Sequence, residues 1–218
     1  MLVPVRVRDP RFVRVAGALL LLCVLVLTAP AAAFHGMPGA TPGSGVSVDE
    51  AVAQITGADG VLRFDVAENG ALFTWSGTPE LVDGFPTVGT AYVTQGYIYP
   101  AGTLDASNGV LEDGSPEFPD QVIGHWSCYG WWLGDAAHAA TSPPWLNTHL
   151  FNFGPAWGGA MLTSEGYSID DLDVPLERAL TGGSGQFANA SGVQVETNLG
   201  FNASGGMNFR YEIHVTES

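Results

Sequence analysis

Lysine is absent from this sequence, and the 218 residues contain seven arginines against 22 acidic residues, for a formal net charge of −15. Four of the arginines lie before residue 15, whereas Asp9 is the only acidic residue before Phe34. From Phe34 onward the chain is therefore strongly acidic and has no cluster of cations. Because neutralising a phosphate backbone requires such clusters, the composition excludes a nucleic-acid-binding protein.

Cysteine is also scarce, since the chain has only Cys23 and Cys128. Cys23 precedes the cleavage site predicted below, so the mature chain would keep one cysteine and form no intramolecular disulfide. Charged residues make up 13 % of the chain and hydrophobic residues 46 %, which excludes a disordered acidic tail. The fold must therefore be held by the burial of apolar side chains, which a chain of this length can provide.

The first 33 residues have the pattern of a signal peptide. Four arginines precede an uncharged run over residues 15–29, and the alanines at positions 31–33 provide a small-residue cleavage site. We expect cleavage after Ala33 and a secreted protein that has no membrane contact once the signal is removed. The alternative is an uncleaved N-terminal anchor, because the uncharged stretch has about the 20 residues that a membrane span requires.

The rest of the chain divides into a short N-terminal part and one long β-rich part. Residues 34–59 contain a Pro/Gly-rich linker, and residues 46–56 favour a short helix with Ser47 or Asp49 as its N-cap. Residues 60–218 show strand patterns separated by turn residues, which predicts a single β domain. The predicted strands are residues 62–68, 71–75, 89–99, 121–133, 148–153, 160–168, 187–197 and 207–215. Between the first two, Asn69-Gly70 predicts a tight hairpin turn.

Two of these strands predict how the sheet is arranged. Residues 207–215 alternate apolar and polar side chains, which is typical of a strand with one buried face. Residues 121–133 are apolar on both faces. One face holds Trp126, Cys128 and Trp132, and the other holds Tyr129, Trp131 and Leu133. Because an open sheet of this kind would aggregate at its edges, we predict an all-β fold, closed as an eight-stranded antiparallel β-barrel.

A glycine-rich segment, residues 182–188 (GGSGQFA), partly matches two catalytic patterns. As a dinucleotide-binding loop it reads G-x-G-x-x-A, but a strand pattern follows it where that loop requires a helix. As a nucleophile elbow it has Gln186 where the pattern requires glycine. We interpret the segment as a glycine turn that joins two strands.

Several segments together resemble the allene oxide cyclases and the related dirigent proteins. They are residues 96–102 (GYIYPAG), 124–128 (GHWSC), 150–154 (LFNFG), 165–166 (EG) and 179–187 (ALTGGSGQF), with Gly192 beyond. The resemblance implies an eight-stranded antiparallel barrel around an apolar cavity, assembled as a homotrimer. It also implies either cyclisation of a reactive oxylipin or guided coupling and cyclisation of phenols. Neither activity needs a metal or an organic cofactor.

The resemblance provides two candidate catalytic residues, Asp65 and Cys128. Asp65 stands where the cyclases have a glutamate, and Cys128 lies in the segment that resembles their cysteine-bearing strand; Ala67 replaces an asparagine of the cyclases. Asp65 either points into the lumen, where a dry carboxyl can act as an acid or base, or faces solvent. Cys128 either lines the cavity or is a small buried hydrophobe.

Aromatic side chains are expected to form the ligand-binding wall, and each well-buried ring would contribute about 1.5–3 kcal/mol. The candidates are Tyr97, Tyr99, Trp126, Trp132, Phe151 and Phe209. His125, His138 and His149 have no tight ligand spacing, so we predict no metal site.

Two hypotheses follow for the function. In the first, a secreted barrel binds a small hydrophobic molecule and acts as a cofactor-free cyclase or isomerase, or as a dirigent-like template. In the second, the barrel is a non-catalytic structural or binding protein that oligomerises through its aromatic-rich outer face. A roomy cavity with a carboxyl in its wall favours the first hypothesis, and a lumen filled by side chains favours the second.

Overall fold

Eleven strands and one α-helix lie within residues 46–82, 85–133 and 145–216, which are the residues that the computed structural model describes. They are α1 Val48–Ile55, β1 Leu62–Glu68, β2 Thr74–Trp75, β3 Leu81–Val82, β4 Phe85–Pro86, β5 Ala91–Pro100, β6 Gly124–Trp132, β7 Trp145–Phe153, β8 Met161–Ser168, β9 Pro175–Ser184, β10 Gly192–Phe201 and β11 Met207–Val215. The predicted signal peptide, its cleavage site, the linker before residue 46 and His138 lie outside the described residues. Within the described ranges, no helix has the length and apolarity needed to cross a membrane.

The eight long strands form a closed antiparallel barrel in the order β1–β11–β10–β9–β8–β7–β6–β5. The ring is closed because β1 pairs with β11 on one side and with β5 on the other. At this closure Phe64 lies opposite Tyr211 of β11 and Pro100 of β5. The predicted fold class is therefore confirmed.

The predicted hairpin at Asn69-Gly70 is wrong. Asn69 instead caps a short 3₁₀ turn, and its side-chain oxygen accepts a hydrogen bond from the N–H of Ala71. Strand β2 then pairs with β5, where Thr74 lies opposite Val93. The physical reason is that both edges of β1 are already hydrogen-bonded to β5 and β11, so no edge of β1 is free for a hairpin partner.

Strand β9 was not predicted. It extends through Gly182 and Gly183 to Ser184, and a 3₁₀ turn follows it, so β10 begins at Gly192 rather than at residue 187. The inward-facing position at the middle of β9 is occupied by Arg178. This buried charge, together with the glycines, hides the period-two pattern that marks the other strands.

The start of the domain is built as the sequence predicts. Ser47 is the N-cap of α1, its hydroxyl accepts from the N–H of Glu50, and the Glu50 carboxylate accepts from the N–H of Ser47. This reciprocal pair is a capping box. The helix buries Ala51 and Ile55 against the apolar core of the barrel and lies against β1 and β7.

Aromatic rings fill the half of the lumen nearest this helix. Phe64 is fully buried, and its ring centroid lies 5.1 Å from that of Phe151, 5.4 Å from Phe153 and 5.5 Å from Tyr211. Leucine and isoleucine side chains from the same ends of the strands complete this packing, among them Leu62, Ile98, Leu162, Leu180 and Ile213. Space inside the barrel is therefore found toward the opposite end.

The connection between β5 and β6 folds over the outer surface of the barrel. It forms a second apolar cluster with the outward-facing side chains of Ala67, Tyr97 and Tyr99. The Tyr97 hydroxyl donates to the carbonyl of Gly114, and the Tyr99 hydroxyl donates to that of Gly109. The outer face of β1 and β5 is therefore buried although it does not face the lumen.

We predict that Phe64→Ala lowers the free energy of unfolding by about 3–5 kcal/mol, because it leaves a void among three aromatic rings. Phe201→Ala is the matched control, since Phe201 is 61 % exposed, and it should change stability by less than about 0.5 kcal/mol. Chemical denaturation followed by tryptophan fluorescence measures both. Equal losses in the two variants would contradict the assignment of Phe64 to the core.

Candidate functional site

A cavity opens at the end of the barrel opposite α1. Its empty space is about 350 Å³ including the partly open mouth, and about 30 Å³ of it can hold the centres of water molecules. Because one ordered water needs roughly 10–15 Å³ of such space, the inner part has room for about two waters. The lining residues are Glu68, Phe73, Tyr92, Thr94, Trp126, Cys128, Trp145, Asn147, His149, Ser168, Ile169, Asp170, Met207 and Phe209.

Aromatic rings form one side of the cavity. Tyr92 stacks on Phe73 with ring centroids 5.4 Å apart, and the Trp145 ring meets Tyr92 edge-on at 4.9 Å. Trp126 and Phe209 lie deeper, with centroids 6.0 Å apart. These contacts hold the rings in fixed orientations, so the wall offers a preformed apolar surface to a ligand.

Two carboxyls face this apolar wall. Glu68 accepts a hydrogen bond of 2.7 Å from the Thr94 hydroxyl and one of 2.8 Å from the N–H of Met207. Asp170 accepts one of 2.9 Å from Nε1 of Trp145. Burial raises the pKa of both carboxyls, and for Asp170 the neighbouring Asp171 adds to the rise. Both groups therefore hold a proton to higher pH than an exposed carboxyl does.

A charged network lies behind the cavity. The Arg178 guanidinium is fully buried, and its nearest carboxylate oxygen is Oε2 of Glu196 at 3.7 Å. That oxygen also accepts from the Tyr211 hydroxyl at 3.2 Å and lies 3.4 Å from Nδ1 of His149. Burial raises the pKa of the Glu196 carboxyl, and Arg178 opposes this rise. Burial, and secondarily Arg178, lowers the pKa of His149 well below its usual range, so the ring is neutral.

A second part of the network reaches the cavity through Asn147. Arg178 donates to both oxygens of Asn147, the side-chain oxygen and the backbone carbonyl. Asn147 Nδ2 in turn donates to the Tyr92 hydroxyl at 2.9 Å and to the Ser168 hydroxyl at 3.2 Å. The Tyr92 hydroxyl also lies 3.4 Å from Sγ of Cys128. The buried charge is thus connected by hydrogen bonds to groups in the cavity wall.

Asp65 does not lie in the cavity. Its side chain points to the outer face of β1, where it is fully buried beneath the β5–β6 connection. It forms an ion pair with Arg210 at 2.9 Å and accepts from the N–H groups of Gly102 and Leu104. Neither of the orientations considered for Asp65 applies, because the side chain faces neither the lumen nor solvent. These contacts fasten the outer connection to the barrel.

The predicted aromatic residues are divided between three places. Trp126 and Phe209 line the cavity, as does Cys128. Phe151 and Trp132 lie in the barrel core outside the cavity wall, whereas Tyr97 and Tyr99 belong to the outer cluster. Burial strongly raises the pKa of the Cys128 thiol, so at neutral pH the sulfur is a neutral thiol rather than a nucleophilic thiolate.

The polar residues of the lumen were not predicted from the sequence. Glu68 ends a strand that seemed apolar, and Arg178 lies in the strand that was not predicted. The available signal was in β10, where Gln194, Glu196 and Asn198 alternate with outward-facing residues and are all buried. Such a polar line on an inward face indicates a functional lumen rather than a plain core.

Among the residues that the structure describes, no group of three or more His, Cys, Asp or Glu side chains has an arrangement that could hold a metal ion. His125 lies on the outer face of β6 and stacks on Trp157 with ring centroids 4.8 Å apart. His149 is engaged with Arg178, Tyr211 and Glu196 inside the barrel.

We predict that His149 lowers the stability of the protein as the pH falls from 7 to 5, whereas the raised pKa of the buried carboxyls of Glu68, Asp170 and Glu196 acts in the opposite direction. The folded state keeps this ring neutral, whereas in the unfolded chain it binds a proton below about pH 6.5. Protonation therefore favours the unfolded state as the pH falls, and this site contributes a loss of about 2 kcal/mol over that interval. His149→Gln should remove that part of the pH dependence in urea denaturation. An unchanged dependence would contradict a neutral buried His149.

The sequence matches no protein-family model and no curated protein. Similar solved structures include two pterocarpan synthase dirigent proteins. The first has a TM-score of 0.51 and 17 % identity, and the alignment covers 72 % of this chain and 94 % of that protein. The second has a TM-score of 0.50 and 15 % identity, and the alignment covers 71 % of this chain and 82 % of that protein. A pyocyanin demethylase aligns with a TM-score of 0.47 and 13 % identity, over 72 % of this chain and 99 % of its own. The chain therefore has the barrel fold of the dirigent proteins.

Proposed function

We propose that the barrel binds a small, mainly apolar aromatic molecule and promotes an acid-assisted cyclisation or isomerisation of it without a cofactor. The observation that carries this proposal is the aromatic-walled cavity that contains the carboxyls of Glu68 and Asp170. Both carboxyls have a raised pKa, so each holds a proton to higher pH than an exposed carboxyl does and can deliver it to a ligand oxygen.

The shape of the cavity supports a small ligand. The enclosed part of the cavity has room for only about two waters, so a ligand must also occupy the partly open mouth. Met207 is only half-buried at the cavity, so its side chain can move as a ligand enters. Walls of this kind exclude water and favour one ligand conformer, which lowers the entropic cost of ring closure. The pterocarpan synthase activity in the names of the dirigent proteins of similar fold supports ring formation as the reaction class.

Glu68 is the proposed acid. It lies at the end of β1, and the hydrogen bonds from Thr94 and Met207 fix the orientation of its carboxyl. Glu68 donates a proton to a ligand atom that gains electrons during ring closure, and the ligand returns a proton from the attacking group. The overall reaction is an isomerisation, so it requires no oxidant or reductant.

The cyclisation of 2′-hydroxychalcone to flavanone provides a test. In this reaction the phenol oxygen forms a bond to the β-carbon, and the phenol proton is transferred to the α-carbon. We predict that the protein accelerates this reaction and that Glu68→Gln lowers the acceleration by about 100-fold or more. The acceleration should also fall as the pH rises through the raised pKa of Glu68, because the protonated acid is lost.

Glu80→Gln is the matched control for this experiment, since Glu80 is exposed on the loop before β3. It makes the same substitution at an exposed position and should leave the rate unchanged. Circular dichroism of both variants verifies that they are folded. A folded Glu68→Gln variant with the wild-type rate, or a wild-type protein that does not accelerate the reaction, would contradict the proposed acid chemistry.

A specific surface feature supports oligomerisation as a second property. On the outer face of β6, β7 and β8, the exposed side chains of Trp131, Leu146 and Tyr167 lie opposite one another in register. Glu165 is the only charged side chain on the neighbouring outer positions of these strands. In a chain of net charge −15, a face with so few charged side chains brings little repulsion between two copies. We propose that a second copy of the chain covers it, with a homotrimer as the expected assembly.

The full-length chain is expressed with its N-terminal segment, and native mass spectrometry of the exported product tests the assembly and the export together. We expect a subunit mass that begins at Phe34 and a complex of three subunits. Leu146→Glu should give monomers, because it places a charge in the centre of the contact. Val193→Glu is the matched control, since both side chains are 38 % exposed, and it should leave the complex intact. A monomeric wild-type protein at micromolar concentration would contradict the interface.

A further inference from the structure

The buried arginine fixes the direction of the hydrogen bonds that lead to the cavity. A guanidinium has donors and no acceptor, so both oxygens of Asn147 must accept from Arg178. The side-chain amide of Asn147 is thereby oriented, and its NH₂ group must face the other way. That group donates to Tyr92 at 2.9 Å and to Ser168 at 3.2 Å. A reversed amide would turn its NH₂ group toward the Arg178 guanidinium, which has no acceptor for it.

The next group in the sequence is the Tyr92 hydroxyl, whose oxygen accepts from Asn147. Its own hydrogen must therefore point to another partner, and the remaining neighbour is Sγ of Cys128 at 3.4 Å. A neutral thiol is a weak acceptor. Burial raises the pKa of the Cys128 thiol and so keeps it neutral. The Tyr92 O–H is thus a buried donor in the cavity wall that has only a poor acceptor.

Trp126 places a second donor in the same wall. Its side chain is 2 % exposed and lines the cavity, and its Nε1–H has no hydrogen-bond partner among the described residues. An unsatisfied buried donor costs about 1–3 kcal/mol, which a ligand acceptor can recover. A ligand that carries a hydrogen-bond acceptor would therefore be complementary to these two unsatisfied donors.

We infer that the cavity selects aromatic molecules that carry a hydrogen-bond-accepting oxygen, as aryl ketones do, and that this oxygen accepts from the Tyr92 hydroxyl. Trp126 Nε1–H is a second donor for the same ligand. Asn147 is a positioning residue, since it donates to the Tyr92 oxygen and so leaves the Tyr92 hydrogen for the ligand. This inference rests on the proposed function and adds the ligand class to it.

Acetophenone and α-methylstyrene provide the test, because they have nearly the same shape and differ in a C=O against a C=CH₂ group. Isothermal titration calorimetry measures their dissociation constants with the full-length protein. Tyr92→Phe should weaken acetophenone binding about 2- to 10-fold, the value of one hydrogen bond, and leave α-methylstyrene binding unchanged. Tyr129→Phe on the outer face of β6, where Tyr129 is 42 % exposed, should change neither constant.

A second variant tests the direction of the hydrogen bonds while Tyr92 stays in place. In Asn147→Asp the carboxylate still accepts from Arg178 but has no N–H to donate, so the Tyr92 hydroxyl turns to donate to it. The ketone-specific loss should then match that of Tyr92→Phe. The infrared C=O stretch of bound acetophenone gives an independent readout. It should lie at lower frequency in the wild type than in either variant.

The outcomes separate this inference from the proposed function. If α-methylstyrene binds and Tyr92→Phe does not change the ratio of the two affinities, the inference is wrong and ligand binding by the lumen stands. If neither compound binds the wild-type protein, both fall. If the ratio changes in Tyr92→Phe but not in Asn147→Asp, Tyr92 is a donor to the ligand and the positioning role of Asn147 is overturned.

Discussion

The arrangement of the lumen depends on one constraint, the compensation of the buried Arg178 guanidinium. A buried charge without partners would cost several kcal/mol, so the surrounding strands must provide acceptors from several directions. Glu196 of β10 provides a carboxylate, and Asn147 and His149 of β7 provide neutral acceptors. Strand β9 is thereby tied to its neighbour β10 and also to β7, which it does not neighbour, and the lumen keeps a polar zone that apolar packing alone would not leave.

Closure of the barrel gives the two faces of each strand different chemistry. On β1, Phe64 and Glu68 face the lumen while Asp65 faces outward, and Asp65 is still buried because the β5–β6 connection covers it. Its ion pair with Arg210 holds that connection in place. The two carboxylates of one strand thus have separate roles, one in the wall of the cavity and one in the attachment of an outer layer.

The sequence predicted the barrel because its architecture is encoded in local patterns, whereas much of the site depends on pairings between distant strands. Alternation over residues 207–215 marks β11 without further information, but β9 was hidden because its central inward residue is Arg178. Asp65 was chosen because it stands where the cyclases have a glutamate, but the alternation along β1 places Asp65 on the outer face and Glu68 on the lumen face. Trp126 and Cys128 could be placed on one face of β6, yet only the pairing of β6 with β5 shows that Tyr92 meets Cys128.

The polar zone has two parts, a carboxylate behind the cavity wall and hydrogen-bond donors in the wall, and they affect a bound ligand differently. The negative charge of Glu196 is held behind the wall by Arg178, His149 and Tyr211, so it does not meet the ligand. The wall itself presents the O–H of Tyr92 and the N–H of Trp126, and a protonated Glu68 adds a third donor. In the proposed ligand complex, oriented donors would stabilise negative charge that develops on a ligand oxygen, since no donor would have to reorient during the reaction. Ring closures that pass through an enolate-like transition state have this charge distribution. The same hydrogen-bond direction that selects an acceptor oxygen in the bound ligand would therefore lower the barrier to its cyclisation.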